Sequence, residues 1–148
     1  MSRYQIRPYR SEDDIRCRQI AARAAMTSYG RHMPELAHIF REDHPLDDAE
    51  HRLVATCDAE VVGLVEVNGS HIENLFVATA HQGQGLGTLL LKAACDLIPT
   101  TPTLSVFTTN PRARTLYERH GFKVTETRTV HFHGHPKPVW LMRQTEGR

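Results

Sequence analysis

A run of alternating glycines, His81-Gln82-Gly83-Gln84-Gly85-Leu86-Gly87-Thr88, joins a β-rich stretch, Ile72 to Val77, to an apolar-periodic helix. This junction constrains the chain more than any other segment. Glycine strips side chains from a loop just before a helix N-terminus, where backbone N–H groups lack intrahelical partners and the helix dipole adds partial positive charge. Such a turn suits an anion, and a phosphate or pyrophosphate in particular. A glycine-rich turn with no ligand is the plain alternative. Two familiar glycine patterns fail. A P-loop needs a Lys before the Ser or Thr that ends it, and here Thr88 follows Gly87 directly. A dinucleotide fingerprint needs G-x-G-x-x-G and an acid about 20 residues on. Here the spacing is G-x-G-x-G, and Thr103 to Thr109 carries no acid.

A second element lies downstream. Asn110 to Phe122 reads as one complete helix with its stop. Asn110 is a good N-cap, Pro111 takes the first helical position, and Gly121 ends the helix. Ala113, Leu116 and Tyr117 fall on one face.

The rest of the chain alternates. Tyr4 to Pro8 reads as a strand. Ser11-Glu12-Asp13-Asp14 reads as a capped start of a helix running to about Ser28. His32 to Phe40 carries a shorter second helix, and Arg41 to Asp48 is a charged, Pro-containing loop. Arg52 to Cys57, Val61 to Asn68 and His71 to Val77 are β-rich runs that predict an antiparallel meander. Gly85 to Ile98 is a helix burying Leu86, Leu89, Leu90, Ala93, Ala94 and Leu97. Leu104 to Thr108 is a strand. Phe122 to His131 and Val139 to Arg143 close the chain as a hairpin. The order is βααβββαβαββ, which predicts a mixed α/β sheet with helices on both faces.

At 148 residues, the chain is expected to form one domain, spanning 1–148, with a substantial core. A net charge of +1 argues against a general nucleic-acid binder. No apolar run reaches membrane-spanning length, and the N-terminus lacks a signal-peptide core. Cys17, Cys57 and Cys95 are widely spaced, which fits small buried residues in a reducing cytoplasm.

The Gln82-x-x-Gly85-x-Gly87 spacing resembles the coenzyme-A pyrophosphate loop of the GNAT superfamily of N-acetyltransferases. The N-x-x-A-x-x-x-Y-x-x-x-G-F run from Asn110 to Phe122 resembles its second signature. The resemblance covers roughly Arg3 to Arg143, and its specific part is Ile72 to Phe122. It implies the GNAT fold, with the fourth and fifth strands splayed around a pantetheine arm. Leu75, Phe76 and Val77 would offer backbone groups to that arm. The side chains of Leu75 and Val77 have an equal reading as core. Gln82, Gly83, Gln84, Gly85, Leu86, Gly87 and Thr88 would wrap the pyrophosphate through their amides, and Asn110 and Ala113 would border the coenzyme.

The implied reaction is direct acetyl transfer from acetyl-CoA to the primary amine of a small molecule or peptide, with no metal. Tyr117 sits where the family commonly places its acid, and a phenol with an ordinary pKa of about 10 stays protonated at neutral pH. Its plain reading is a core tyrosine. Glu73 and His71 are the base candidates. They sit two apart on one strand, so they are expected to face the same way. Glu73 lies nearer the splay and comes first, while His71 titrates near neutrality unaided. A polar pair on a half-exposed strand is the competing reading for both.

His131, His133 and His135 alternate around Gly134, and are expected to form a lip of the acceptor pocket rather than a metal site. Met26, Tyr29, Arg31, His32, Met33 and Phe40 are candidates for the opposite wall. Arg112 and Arg114 are either coenzyme contacts or solvated cations. The partners expected are acetyl-CoA and an amine, in a monomer or homodimer. A silent acyl-CoA sensor and a transferase with a longer acyl donor are the competing functions.

Overall fold

The computed structural model describes residues 3–145. Seven strands form one sheet in the order β1-β2-β3-β4-β5-β7-β6. They are β1 (Tyr4–Pro8), β2 (His51–Cys57), β3 (Glu60–Asn68), β4 (His71–Val77), β5 (Thr103–Phe107), β6 (Phe122–Phe132) and β7 (His135–Gln144). The helices are α1 (Asp14–Ser28), α2 (Leu86–Leu97) and α3 (Pro111–Glu118). The meander of β2, β3 and β4 is antiparallel, as its alternation and turns predict, and among the described strands only β4 and β5 pair in parallel. The turn between β2 and β3 runs through Asp58 and Ala59, both at positive φ.

Three local expectations change. The first helix starts at Asp14, and its N-cap residue Asp13 makes no side-chain cap bond to it. Asp13 accepts from the Arg10 backbone N–H at 2.8 Å and from both terminal nitrogens of Arg7. Ser11–Asp13 is therefore a 3-10 turn that precedes α1. The expected second helix is two 3-10 helices, Gly30–His32 and Pro34–Phe40. Met33 between them is non-helical at φ −133° and ψ 58° and precedes a proline, which disfavours helix. The buried face of α2 is rotated. Leu91 and Cys95 join Leu86, Leu90 and Ala94 in the core, while Leu97 in the last turn is 38% exposed.

The closing hairpin is longer than its prolines suggest. Pro136 and Pro138 lie inside β7, opposite His131 and Thr129 of β6. Proline has no N–H to donate to a ladder. Pairing of β5 with β7 ends at Phe107 and Val139, and beyond it the Pro138 carbonyl accepts from the Thr108 N–H at 3.2 Å, a bond that asks no N–H of the proline. His133 and Gly134, with φ of 49° and 83°, make the tight turn.

Helices α2 and α3 share one face of the sheet. A Cβ on Gly63 of β3 would meet Leu86 and Leu90 of α2, and one on Gly87 would meet Leu116 of α3 and Leu75 of β4. Helix α1 covers the other face. Beside it the 3-10 segment packs Met33, Leu36, Ile39 and Phe40 against Tyr29, Phe76, Phe107 and Phe132. No helix among the described residues is long and apolar enough to cross a membrane.

Candidate active site

Strands β4 and β5 pair at only two positions, His71 with Thr103 and Ile72 with Leu104. Beyond them the strands part and leave a cleft of about 960 Å3. The sheet thus opens beside backbone that would otherwise pair, and unpaired backbone must find water or a ligand. Leu75, Phe76 and Val77 border this opening, with Gln82, Gly83, Gly85, Gly87 and Thr88 at one end.

The glycines of the loop have different reasons. Gly83 and Gly85 sit at φ of 76° and 82°, and a Cβ on either would meet nothing within 4 Å. Left-handed backbone, not crowding, selects glycine there. Gly87 differs: its φ is ordinary, and a Cβ there would make ordinary contact with Leu116 and Leu75 at 3.6 and 3.9 Å, so neither strain nor crowding demands glycine. Gln82 folds back, its amide donating to the Val77 carbonyl at 3.2 Å. The start of α2 has no side-chain cap. Its first N–H groups therefore remain the donors for an anion. Arg31, Arg112 and Arg119 also line the cleft, against Glu73 as its one acid among the described residues.

Two residues of the expected wrapping set do not line the cleft. Leu86 is 1% exposed in the core under the loop. Gln84 turns its side chain to the Tyr4 hydroxyl and the Ala80 carbonyl, so it braces the loop from behind. Arg114 also lies elsewhere. It stacks over the Trp140 ring at 4.6 Å and pairs with Glu118.

Asn110 caps α3, its side-chain oxygen accepting from the Ala113 N–H at 3.4 Å. Both residues border the cleft, as does Tyr117 two turns on. The Tyr117 ring meets Phe122 edge-on at 6.0 Å. Burial pushes its hydroxyl up to about 12. It therefore stays protonated across the neutral range and can donate.

Glu73 and His71 are not equivalent. Asn74 lies opposite Glu66, but Ile72 lies opposite Val67, so Glu73 is an extra residue in β4 with no partner in β3. The bulge breaks the two-residue alternation that would make Glu73 and His71 face alike. Glu73 is exposed and lines the cleft. His71 lies at the paired end, with Nδ1 2.9 Å from Thr103 Oγ1, and does not line the cleft.

On the α1 face, a second recess of about 70 Å3 adjoins the cleft. Tyr29 and Phe40 line it, as their place on the first two helical segments predicts, and so does His133 from the hairpin tip. His44 meets His133 edge-on at 6.0 Å, and Lys137 pairs with Glu35, which pins the hairpin to the 3-10 segment. Met33 is buried behind this wall and Met26 lies outside it. His131, His133 and His135 are exposed, and no group of three metal-ligating side chains forms among the described residues.

Sequence reasoning missed Glu66, Asn74 and Phe132, which also line the recess. One signal was available for Glu66. It is the single acid inside the apolar run Val61 to Val67, and a charge there needs a partner.

A family model described as an acetyltransferase (GNAT) domain matches residues 24–136. A peptidyl-lysine N-acetyltransferase, YjaB, from Salmonella typhimurium is 32% identical over 112 residues, covering 76% of this chain and 73% of that protein. The spermidine N(1)-acetyltransferase of Escherichia coli K12 is 30% identical over 135 residues, covering 81% and 73%. The solution structure of apo YjaB from Escherichia coli superposes with a TM-score of 0.78 at 25% identity, covering 98% of this chain and 99% of that one. A splayed β4–β5 cleft, a glycine loop at its mouth and a domain match over most of the length agree: the chain belongs to the GNAT superfamily and is an N-acetyltransferase.

Proposed function

We propose that the protein transfers the acetyl group of acetyl-CoA to a primary amine of a small molecule or peptide. The observation that carries this reading is the position of Tyr117, protonated and facing the same cleft that the glycine loop closes at one end. The cleft residues fit the coenzyme. Gly83 and Gly85 leave open space where any Cβ would project, and β4 has unpaired backbone beyond Ile72.

In this reading the α2 amides and loop backbone from Gln82 to Thr88 hold the pyrophosphate. The backbone of Leu75, Phe76 and Val77 takes the pantetheine arm as an added strand. Asn110 and Ala113 flank the arm from the other side. When bound, the coenzyme supplies a thioester, an acyl carbon attached to a good leaving thiolate. Tyr117 donates its hydroxyl proton to the departing sulfur as the new C–N bond forms and the C–S bond breaks. Glu73, on the bulge, accepts the amine proton directly or through water. His71, at the paired end, is the weaker candidate. The one-domain chain, with Cys17, Cys57 and Cys95 all free, suits the reducing cytoplasm, as monomer or homodimer.

The test is amine-dependent release of thiol from acetyl-CoA, with acetylated product identified by mass. A panel should include a lysine peptide and spermidine, because those acceptors are named for two relatives. Saturable transfer to at least one amine is expected. Tight acetyl-CoA binding with no transfer to any amine would make the protein a coenzyme sensor instead.

A further inference from the structure

The recess and the cleft share three lining residues, Tyr29, Asn74 and Phe76. Any acceptor that reaches from one cavity into the other must pass them. Asn74 is the only one of the three with a carboxamide, and its orientation is fixed from behind. Glu66 is 2% exposed and receives two donors: Arg52 Nε at 2.6 Å on one oxygen and Asn74 Nδ2 at 2.8 Å on the other. Arg52 is itself held, with its guanidinium 4.8 Å over the Tyr9 ring and a further bond to the Asp47 carbonyl. A carboxylate only accepts, so the Asn74 atom that faces it is the NH2 group. The Asn74 oxygen is thereby the free end of the amide. It receives no donor from the described residues.

A buried ion pair is a weak way to stabilise a fold, since desolvation offsets most of the attraction. Here the pair also dictates which end of a carboxamide faces the junction of two cavities. We propose that Asn74 orients the acceptor: its oxygen, turned outward by the Arg52–Glu66 pair, accepts a hydrogen bond from the amine where the recess meets the cleft. Asn74 touches the acceptor, and Glu66 and Arg52 are positioning residues behind it. This rests on the acetyl-transfer reading. The aromatic walls, Tyr29, Phe40, Phe76 and Phe132, suit a positively charged amine on an apolar arm.

The test exchanges the two side chains. In Glu66→Gln the new carboxamide donates to Asn74, which must turn over and present its NH2 to the junction. In Asn74→Asp two carboxylates face each other. The double variant Glu66→Gln/Asn74→Asp restores a donor at 66, an acceptor at 74 and an outward oxygen. The probe is Nα-acetyl-lysine amide or spermidine, whichever the wild type acetylates faster. Each single variant should lose about tenfold or more in kcat/KM for the amine, the scale of one hydrogen bond to a charged group. The double variant should recover to within about threefold of wild type, and KM for acetyl-CoA should stay unchanged throughout. Single variants with wild-type amine kinetics would overturn the proposal. So would a double variant that melts cooperatively yet is as impaired as Glu66→Gln. If the double variant does not fold, Asn74→Ser decides. Its small side chain leaves room for water on Glu66, and it should show the same loss for the amine with unchanged acetyl-CoA affinity. Wild-type kinetics in Asn74→Ser would sink the idea. Acetyl-CoA binding by the wild type without transfer to any amine of the panel defeats the acetyl-transfer reading itself, and this proposal with it.

Discussion

The two cavities that meet at Asn74 and Phe76 are built in opposite ways. The cleft is made largely of backbone: the open side of β4, the left-handed turn at Gly83 and Gly85, and the first amides of α2. The recess is made of side chains that arrive from separate segments: Tyr29 after α1, Phe40 from the 3-10 segment, Glu66 from β3, Asn74 and Phe76 from β4, and Phe132 from β6. A backbone site depends on glycine spacing and strand separation, and tolerates change in most other side chains. A side-chain site changes its ligand whenever one wall residue changes. The division suits an enzyme with a constant donor and a chain-specific acceptor.

The largest effect should come from charging the backbone site. Gly85→Asp places a carboxylate at the proposed pyrophosphate site, and like charges brought together cost several kcal/mol. Acetyl-CoA affinity should fall on the order of 10³-fold by calorimetry. Asn at the same position tolerates the left-handed conformation without the charge. Gly85→Asn should therefore lose much less, and equal losses in the two variants would implicate strain instead of charge.

Next comes the acid. Tyr117→Phe keeps the ring and its contact with Phe122 while removing the hydroxyl. Turnover should fall by about 10²-fold, the lower range for acid catalysis, with coenzyme affinity nearly unchanged. The pKa has a consequence of defined sign. Burial raises the hydroxyl above its unfolded value, to about 12, so ionising it opposes folding. The rate should hold through pH 10, where a free phenol would already ionise, and the stability contribution should be lost only as pH rises from about 10 towards 12. A wild-type rate that falls away near pH 10 would remove Tyr117 as the acid.

A smaller, pH-dependent effect is expected at the bulge. Glu73→Gln should slow transfer most at low pH, where the amine is chiefly protonated. It should approach wild type at high pH, where the free amine needs no base. A deficit that is flat with pH would mean that Glu73 positions the acceptor and that water carries the proton.

What the chain reveals in advance follows the same division. The backbone site is local. Its glycines alternate within one short loop, and its N-cap and Pro lie side by side at Asn110 and Pro111, so spacing alone outlines it. The meander and the hairpin are legible for the same reason, since alternation and turn residues are short-range signals. Hydrophobic spacing predicts one second helix, and Met33-Pro34 breaks it into two 3-10 turns. The bulge at Glu73 is invisible in the strand itself, since it exists only as a mismatch with β3. Glu66 and Asn74 are eight residues apart, on neighbouring strands, and only the register of β3 on β4 brings them to 2.8 Å.

The most direct test of the division is amide hydrogen exchange followed by mass spectrometry, with acetyl-CoA present and absent. Added protection is expected in two stretches, Leu75 to Val77 and Gln82 to Thr88, with little change in Pro34–Phe40 or at the hairpin tip around His133. Protection concentrated in the recess segments, with the glycine loop and β4 exchanging as in the free protein, would contradict it.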